Sequence, residues 1–496
     1  MSNITLPQIF QKGMVLQRRI PICVWGQASG HKKITVQLGD GEASAEVKDG
    51  KWQVYLPPMQ AATSLVMYIT ADNETLEIQD IAIGEVWLAG GQSNMEFLLR
   101  FDEDKETAQK IINSDIRCFE VPKLSYDRQE EYNDYSEVGI WRKQGGEESL
   151  YFTAVGFYFA NKLHETLGVP IGIINCTWGG TSASVFTSRE YLTGNLCFFV
   201  DEADKWQKKM NYDEGIAEYR ELQKQLSSLP MDFGVTNEEP IKPSKGMMSF
   251  FEKFNSYKYA PFSPFCPSVL HRTMLKSVSP FTISGVIWYQ GESDEAYPHL
   301  YEELMSAMIR CWRDMWTNEL PFIIVQLASF EYMMEPLDFV PMRKVQEDIT
   351  KNIPKVNLIC AMDAGLQYDI HPKKKKPIGE RLALQALSKV YGYDILSDSP
   401  SVSSYSKSEG CIDIEFAHCG SGLYVKGDKA ETIDLFIDER KNENVKVSVS
   451  GNHMIIESAD IEIDKTAIVK FAWHPYCVDN VYNSADLPML PFKVEL

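Results

Sequence analysis

Hydrophobic and polar positions divide the chain into three stretches. Over residues 1 to about 80 they alternate with period two. Thr35 to Leu38 is followed by a Gly39-Asp40-Gly41 turn. Ala43 to Val47 leads to Asp49-Gly50, a hairpin signal, then Trp52 to Leu56, and Leu76 to Ile78 closes the set. Short strands at this spacing predict a small sandwich. From about Ile81 the pattern changes. Near-continuous apolar runs at Val86–Ala89, Cys118–Val121, Ile171–Asn175, Val286–Tyr289, Phe322–Leu327 and Leu358–Met362 alternate with helical periodicity at 151–167, 297–317, 341–352 and 378–391. Apolar strands separated by helices predict an α/β region whose parallel sheet is covered on both faces. Sites in such sheets lie off the carboxyl ends of the strands. After about Ser397 the period returns to two, through Ile412–Phe416, Leu423–Val425, Ile433–Ile437, Val445–Val449, Met454–Glu457 and Ile468–Ala472, and predicts a second β-sandwich-like domain. The expected division is an N-terminal β domain at 1–80, an α/β domain at 81–396 and a C-terminal β domain at 397–496.

Between about 186 and 265 the alternation lapses. Glu202 to Leu226 is a charged helical stretch. Pro240, Pro243 and Gly246 break it, and an aromatic-rich piece follows with Phe250, Phe251, Phe254, Tyr257, Tyr259, Phe262 and Phe265. This insertion is either a lid over the sheet edge or a packing or dimer element.

Composition narrows the function classes. The chain has 496 residues and a formal charge of −20, which argues against nucleic acid and anionic membrane surfaces as partners. No stretch approaches the roughly 18–20 apolar residues of a membrane span. The N-terminal residues lack a basic and an apolar signal region, so a cytoplasmic location is expected. Ten cysteines without a C-x-x-C pair read as reduced, mostly buried thiols. No metal-ligand set, phosphate loop or dinucleotide fingerprint is present, so no cofactor and no metal are expected.

The chemistry concentrates where apolar runs end. After Val86–Ala89, Gly90 and Gly91 break the strand, Ser93 follows, and helical periodicity begins around Met95, continuing through Phe97, Leu98, Ala108, Ile111 and Ile112. A serine on a strand-to-helix turn stands exposed beside free helix N–H groups, which suits a nucleophile whose attack creates an oxyanion. Ser93 with Glu96 is equally a Ser-x-x-Glu capping box that only starts a helix. After Val286–Tyr289 come Gln290, Gly291, Glu292 and Ser293. After Leu358–Met362 come Asp369, Ile370, His371 and Pro372. Hydroxyl, carboxylate and imidazole are the groups needed to deprotonate a serine and pass its proton to a leaving alkoxide. Asn175 to Thr181 adds Gly179 and Gly180, and Gly180 is a candidate oxyanion donor beside the Ser93 N–H and the Gln290 amide. Trp178, Trp288 and Tyr289 either face a sugar ring or belong to the core. Lys373–Lys376 reads as a solvated loop.

Gly-Gln-Ser93-Asn-Met-Glu, Trp178-Gly-Gly-Thr, Trp-Tyr-Gln-Gly-Glu292-Ser and Asp-Ile-His371-Pro occur in this order. With Gly13-Met-Val-Leu-Gln, Ala472-Trp and Leu487-Pro, they resemble the sialate O-acetylesterase family, a branch of the SGNH hydrolases. The likeness spans nearly the whole chain except the insertion. It implies a flavodoxin-like three-layer SGNH hydrolase core and acetyl-ester hydrolysis on a small O-acetylated sugar. Ser93 would be the nucleophile, His371 the base, and Gly180 and Gln290 the oxyanion donors. In SGNH enzymes generally the acid precedes the histidine by three residues, a position held here by Tyr368. The carboxylate is Asp369, two residues before, and Glu292 is the other candidate. Lys373–Lys376 beside His371 would then favour anionic sugars. The alternatives are a deacetylase of xylan or another plant polysaccharide and, from a different class, a non-catalytic carbohydrate-binding protein. The oligomeric state is not legible in the sequence.

Overall fold

The computed structural model describes residues 3–72, 74–126, 129, 138–209, 211–228, 252–331 and 337–496. Pro240, Pro243, Gly246, Phe250 and Phe251 of the insertion lie outside them. The chain is mixed α/β. It clusters into two compact units, one holding the described residues within Met1–Gly234, Lys242–Ser293 and Glu303–Phe322, the other those within Asp294–Glu302 and Ile323–Leu496.

The first unit is organised around one strand, Glu74–Gly91, 18 residues long. Its opening half pairs antiparallel with Ala62–Ala71, and its last residues run between parallel neighbours, Ile171–Thr177 on one side and Gly285–Tyr289 on the other. Asn113–Glu120 lies beyond Ile171–Thr177, also parallel, and Trp141–Gln144 closes that edge antiparallel. The sequence pattern places separate strands at Leu76–Ile78 and Val86–Ala89; the structure joins them, so the 80/81 division falls inside a strand. Asp80 takes a left-handed φ of 60°, and the pairing with Ala62–Ala71 is irregular just beyond it, before the strand resumes. The buried Arg117 holds that point by donating to the carbonyls of Asp80 and Gly13 at 2.6 and 2.9 Å. Nothing local in the sequence distinguishes such a kink from a turn.

Parallel register brings three strand ends level. Thr177 pairs with Gly91, and Gly91 with Tyr289. Residues 178–181, 92–96 and 290–293 therefore emerge at one carboxyl edge. The helix Ala154–Leu167 packs near Ile171–Thr177. Its start is set by Thr153, whose hydroxyl accepts the Gly156 N–H at 3.3 Å, and its end by Gly168 at φ 62°.

The insertion supplies helices Cys197–Gln207 and Tyr212–Ser228. Of its described aromatics, Phe254, Tyr257 and Phe262 bury with Tyr219 and Tyr126 in a small core, whereas Tyr259 and Phe265 are only partly buried. This is packing chemistry for the buried rings.

In the second unit, strands Phe322–Val325 and Val356–Ile359 are neighbours, with helices Phe339–Asn352 and Lys376–Lys389. Two four-stranded antiparallel sheets follow. Ile412, Ile414, Phe416, Met454 and Ile456 of one share a core with Leu435, Val469, Phe471 and Phe492 of the other. The strand Ser401–Ser408 escapes the apolar pattern because it is a largely solvent-facing serine-rich edge. Arg343, almost fully buried, is satisfied by donating to the carbonyls of Leu327, Ala328, His474 and Pro475.

Candidate active site

Ser93 is the first residue of a one-turn helix, Ser93–Glu96, immediately beyond the central strand. The helix predicted from Met95 to about Ile112 is interrupted. Phe97 turns extended (ψ 113°), Leu98 forms a β-bridge with Thr153, and only short turns at Leu99–Phe101 and Lys105–Ala108 follow. Tertiary pairing with Thr153 overrides the apolar spacing there.

The capping-box reading is not realised. Gln92, not Ser93, occupies the cap, and it makes no side-chain cap bond. The Glu96 carboxylate instead accepts the Gly179 N–H at 2.6 Å and pairs with Lys123. This ties the loop after Ile171–Thr177 to the Ser93 turn. A Cβ on Gly179 would lie 3.4 Å from Ser93 Cβ, so the two loops are in contact. With Gly179 committed to Glu96, the next amide belongs to Gly180. It sits at φ 72° and donates its N–H to no group among the described residues. Phe265, from the end of the insertion, borders Gly180, 3.5 Å from where a Cβ would be.

The third loop is anchored just as firmly. Gln92 N–H donates to the Tyr289 carbonyl at 3.1 Å, and Ser293 N–H to Gln92 Oε1 at 3.2 Å. Gln290, fully buried, donates from Nε2 to the Thr181 carbonyl at 3.1 Å. Glu292 Oε1 accepts from Asn94 Nδ2 at 2.6 Å, a charge-assisted bond that fixes the residue following Ser93. Trp288 and Tyr289 are each 1% exposed, and Trp288 packs edge-on to Phe186 and Trp312, so both belong to the core. Trp178 is the half-exposed aromatic of the set, with the Lys123 ammonium 5.7 Å from its ring centre.

Gly91 is the position that backbone geometry restricts to glycine. Its φ is 129°, and a Cβ would stand 2.1 Å from the Tyr289 carbonyl oxygen. Gly91→Ala combines a strained φ with an overpacked strand junction, and is expected to cost about 3 kcal/mol or more in urea unfolding. A change below about 1 kcal/mol would contradict this packing.

Asp369 and His371 belong to the second unit. Asp369 is 7% exposed, and its Oδ1 accepts the His371 backbone N–H at 2.9 Å, closing an Asx-type turn. Burial raises the Asp369 carboxyl above the usual range, opposed by that hydrogen bond and by Lys373 and Lys375. Burial pushes the His371 imidazole down to about 4, with the Lys375 cation adding to it. Lys373–Lys376 is not uniformly a solvated loop: Lys374 and Lys376 are exposed, whereas Lys375 is 1% exposed. Behind this loop Arg381 forks onto Asp363 at 2.6 and 2.7 Å, and Tyr482 Oη donates to the same carboxylate at 3.1 Å.

Sequence reasoning missed the roles of Glu96, Asn94, Lys123 and Lys375. Of these, Lys123 carries a readable signal, since it follows the apolar run Cys118–Val121 as the other site residues follow theirs. Among the described residues no group of three or more His, Cys, Asp or Glu is placed to hold a metal ion, and no helix is long and apolar enough to cross a membrane. All ten cysteines are free thiols, most of them buried.

Residues 258–388 match the family model described as carbohydrate esterase, sialic acid-specific acetylesterase. Over nearly its full length the chain is similar to the crystal structure of a carbohydrate acetylesterase from Xanthomonas citri, with TM-score 0.77, 28% identity and 99% of each chain covered. These likenesses define a carboxylic ester hydrolase. Within that class its relatives are the sialate O-acetylesterases. The chain is 27% identical to that of Rattus norvegicus over 423 residues, 76% of this chain and 72% of that protein. Identity to that of Mus musculus is also 27%, over 425 residues, with the same coverage of each.

Proposed function

We propose that this protein is a serine esterase that removes O-acetyl groups from sugars, with sialic acids as the substrate class, through an acetyl-enzyme on Ser93. The observation that carries the reading is the Glu96–Gly179 bond, which draws a glycine loop against the Ser93 turn at the edge where three parallel strands end level. Ser93 Oγ attacks the acetyl carbonyl while His371 takes its proton. The N–H groups of Ser93 and Gly180, with the Gln290 amide, receive the charge on the carbonyl oxygen. Collapse expels the sugar oxygen, which recovers the proton from His371. Water, deprotonated by the same imidazole, then releases acetate. In this scheme Asp369 orients His371, and Glu292 positions Asn94 and the Ser93 turn. Trp178 and Lys123 offer an aromatic face and a cation to an acidic sugar.

The fold proposed with this chemistry is a flavodoxin-like three-layer SGNH core flanked by β-sandwich-like domains at 1–80 and 397–496. The parallel strands of the first unit and the paired antiparallel sheets of the second support it.

Acetate release separates the candidate substrates. O-acetylated sialic acids are expected to be hydrolysed faster than acetylated xylo-oligosaccharides, and the reverse order would move the assignment to plant-polysaccharide deacetylation. The pH profile tests the base. A buried imidazole beside Lys375 resists protonation, so it stays a competent base well below its usual range, and activity is lost only as pH falls through its depressed pKa. The acid limb of kcat/KM for an aryl acetate is expected to have its midpoint nearer 4 than 6.5. A midpoint at or above 6.5 would show that burial and Lys375 do not depress the imidazole during turnover.

A further inference from the structure

The N-terminal strands, where the sequence shows no chemistry, carry an open groove. Ile4–Thr5, Ile22–Ala28 and Lys51–Leu56 form a three-stranded antiparallel sheet. Its register sets Trp25 opposite Gln53 and Gln27 opposite Lys51, so these four side chains share one face. A groove of about 860 Å³ is lined by these four together with Trp52 and Glu46.

The lining has the chemistry of sugar recognition. Trp25 is half-buried and braced edge-on by Phe10, with ring centres 4.7 Å apart, which fixes its indole while leaving part of it open. Gln27 and Gln53 are exposed. The Gln53 amide nitrogen is committed to Tyr55 Oη at 2.7 Å and to Cys23 Sγ at 3.2 Å, so its oxygen is the group it offers. Trp52 is 4% exposed, and its indole N–H has no acceptor among the described residues. Trp52 alternates to the other face of the sheet, and Gly26 opposite it leaves room for its ring, since a Cβ there would lie 2.9 Å from the Trp52 ring and 2.5 Å from the Thr5 carbonyl. Aromatic faces take the C–H surface of a pyranose, and fixed amides pair with its hydroxyls. Lys48 and Lys51 line the groove against the single carboxylate of Glu46, a local positive excess in a chain of formal charge −20. Such an excess selects an anionic ligand.

We infer that this groove is a second glycan-binding site, built for an acidic sugar unit and separate from the residues proposed for catalysis. The inference goes beyond the esterase reading and needs no chemistry at Ser93.

The test is calorimetric titration of the full chain with sialyllactose, lactose and xylohexaose, alongside aryl acetate turnover. Trp25→Ala is expected to weaken sialyllactose binding about tenfold or more. Gln27→Ala combined with Lys51→Glu changes only exposed side chains, and is expected to do the same without disturbing the fold. Both are expected to leave aryl acetate kcat/KM unchanged, and the neutral sugars are expected to bind the parent more weakly than sialyllactose. Unchanged sialyllactose affinity in the exposed-residue variant, or no binding by the parent, would overturn the site. Xylohexaose binding as tightly as sialyllactose would overturn its acidic specificity. Failure of the parent to turn over an aryl acetate would count against the esterase reading and leave the binding result standing.

Discussion

Replacing Ser93 by alanine is expected to lower turnover of an aryl acetate by ~10³-fold or more while leaving thermal unfolding close to the parent. The groups that shape the Ser93 turn are not the hydroxyl itself. The turn is held by Gln92 N–H on the Tyr289 carbonyl, by Glu96 on Gly179 and by Glu292 on Asn94, and all three survive the substitution. In the proposed scheme the variant therefore keeps its oxyanion donors and loses the attacking atom. Residual hydrolysis above the water rate is expected from those donors. Steady-state kinetics and a melting curve check both halves of the result, and near-native turnover would sink the catalytic scheme.

Asp369→Asn is expected to cost up to ~10⁴ in kcat, and Glu292→Gln much less. Both swaps are conservative toward the contacts seen. An asparagine at 369 still presents an oxygen to the His371 N–H, so the Asx-type turn persists. A glutamine at 292 still accepts from Asn94. What each removes is charge. In the proposed mechanism the charge of Asp369 stabilises the imidazolium, whereas Glu292 needs only a hydrogen-bond acceptor to hold Asn94. The two kcat values, measured on the same aryl acetate, decide. If only Glu292→Gln is crippled, Glu292 is the acid of the site; if neither changes, the site works as a serine–histidine pair.

The sequence by itself determined where the loops of the candidate site begin. Val86–Ala89, Ile171–Asn175 and Val286–Tyr289 are buried in the structure, and strands with both faces covered must read as unbroken apolar runs. Gly90 and Gly91, read as breaking the strand after Ala89, are its last two paired residues, and the strand ends at Gly91, whose backbone angle other residues avoid. Much of the C-terminal sheets was legible from their period of two, but the polar strand Ser401–Ser408 and the short strands Arg440–Asn442 and Phe492–Glu495 were not.

What the loops do to one another was decided only by tertiary structure. Glu96 in isolation has the spacing of a helix cap, yet its partner is a glycine amide 83 positions away. Trp288 and Tyr289 looked as fit for a sugar as Trp178 until packing against Phe186 and Trp312 buried Trp288, and Tyr289 with it. Lys375 stands in a run of four lysines, and only its environment removes it from water. The helix foreseen beyond Met95 gave way to a pairing with Thr153 that no local spacing encodes. Periodicity and turn chemistry are properties of neighbours along the chain, so sequence can state them. Strand register, burial and the partner of a carboxylate depend on residues brought near by folding, and only the folded chain supplies those.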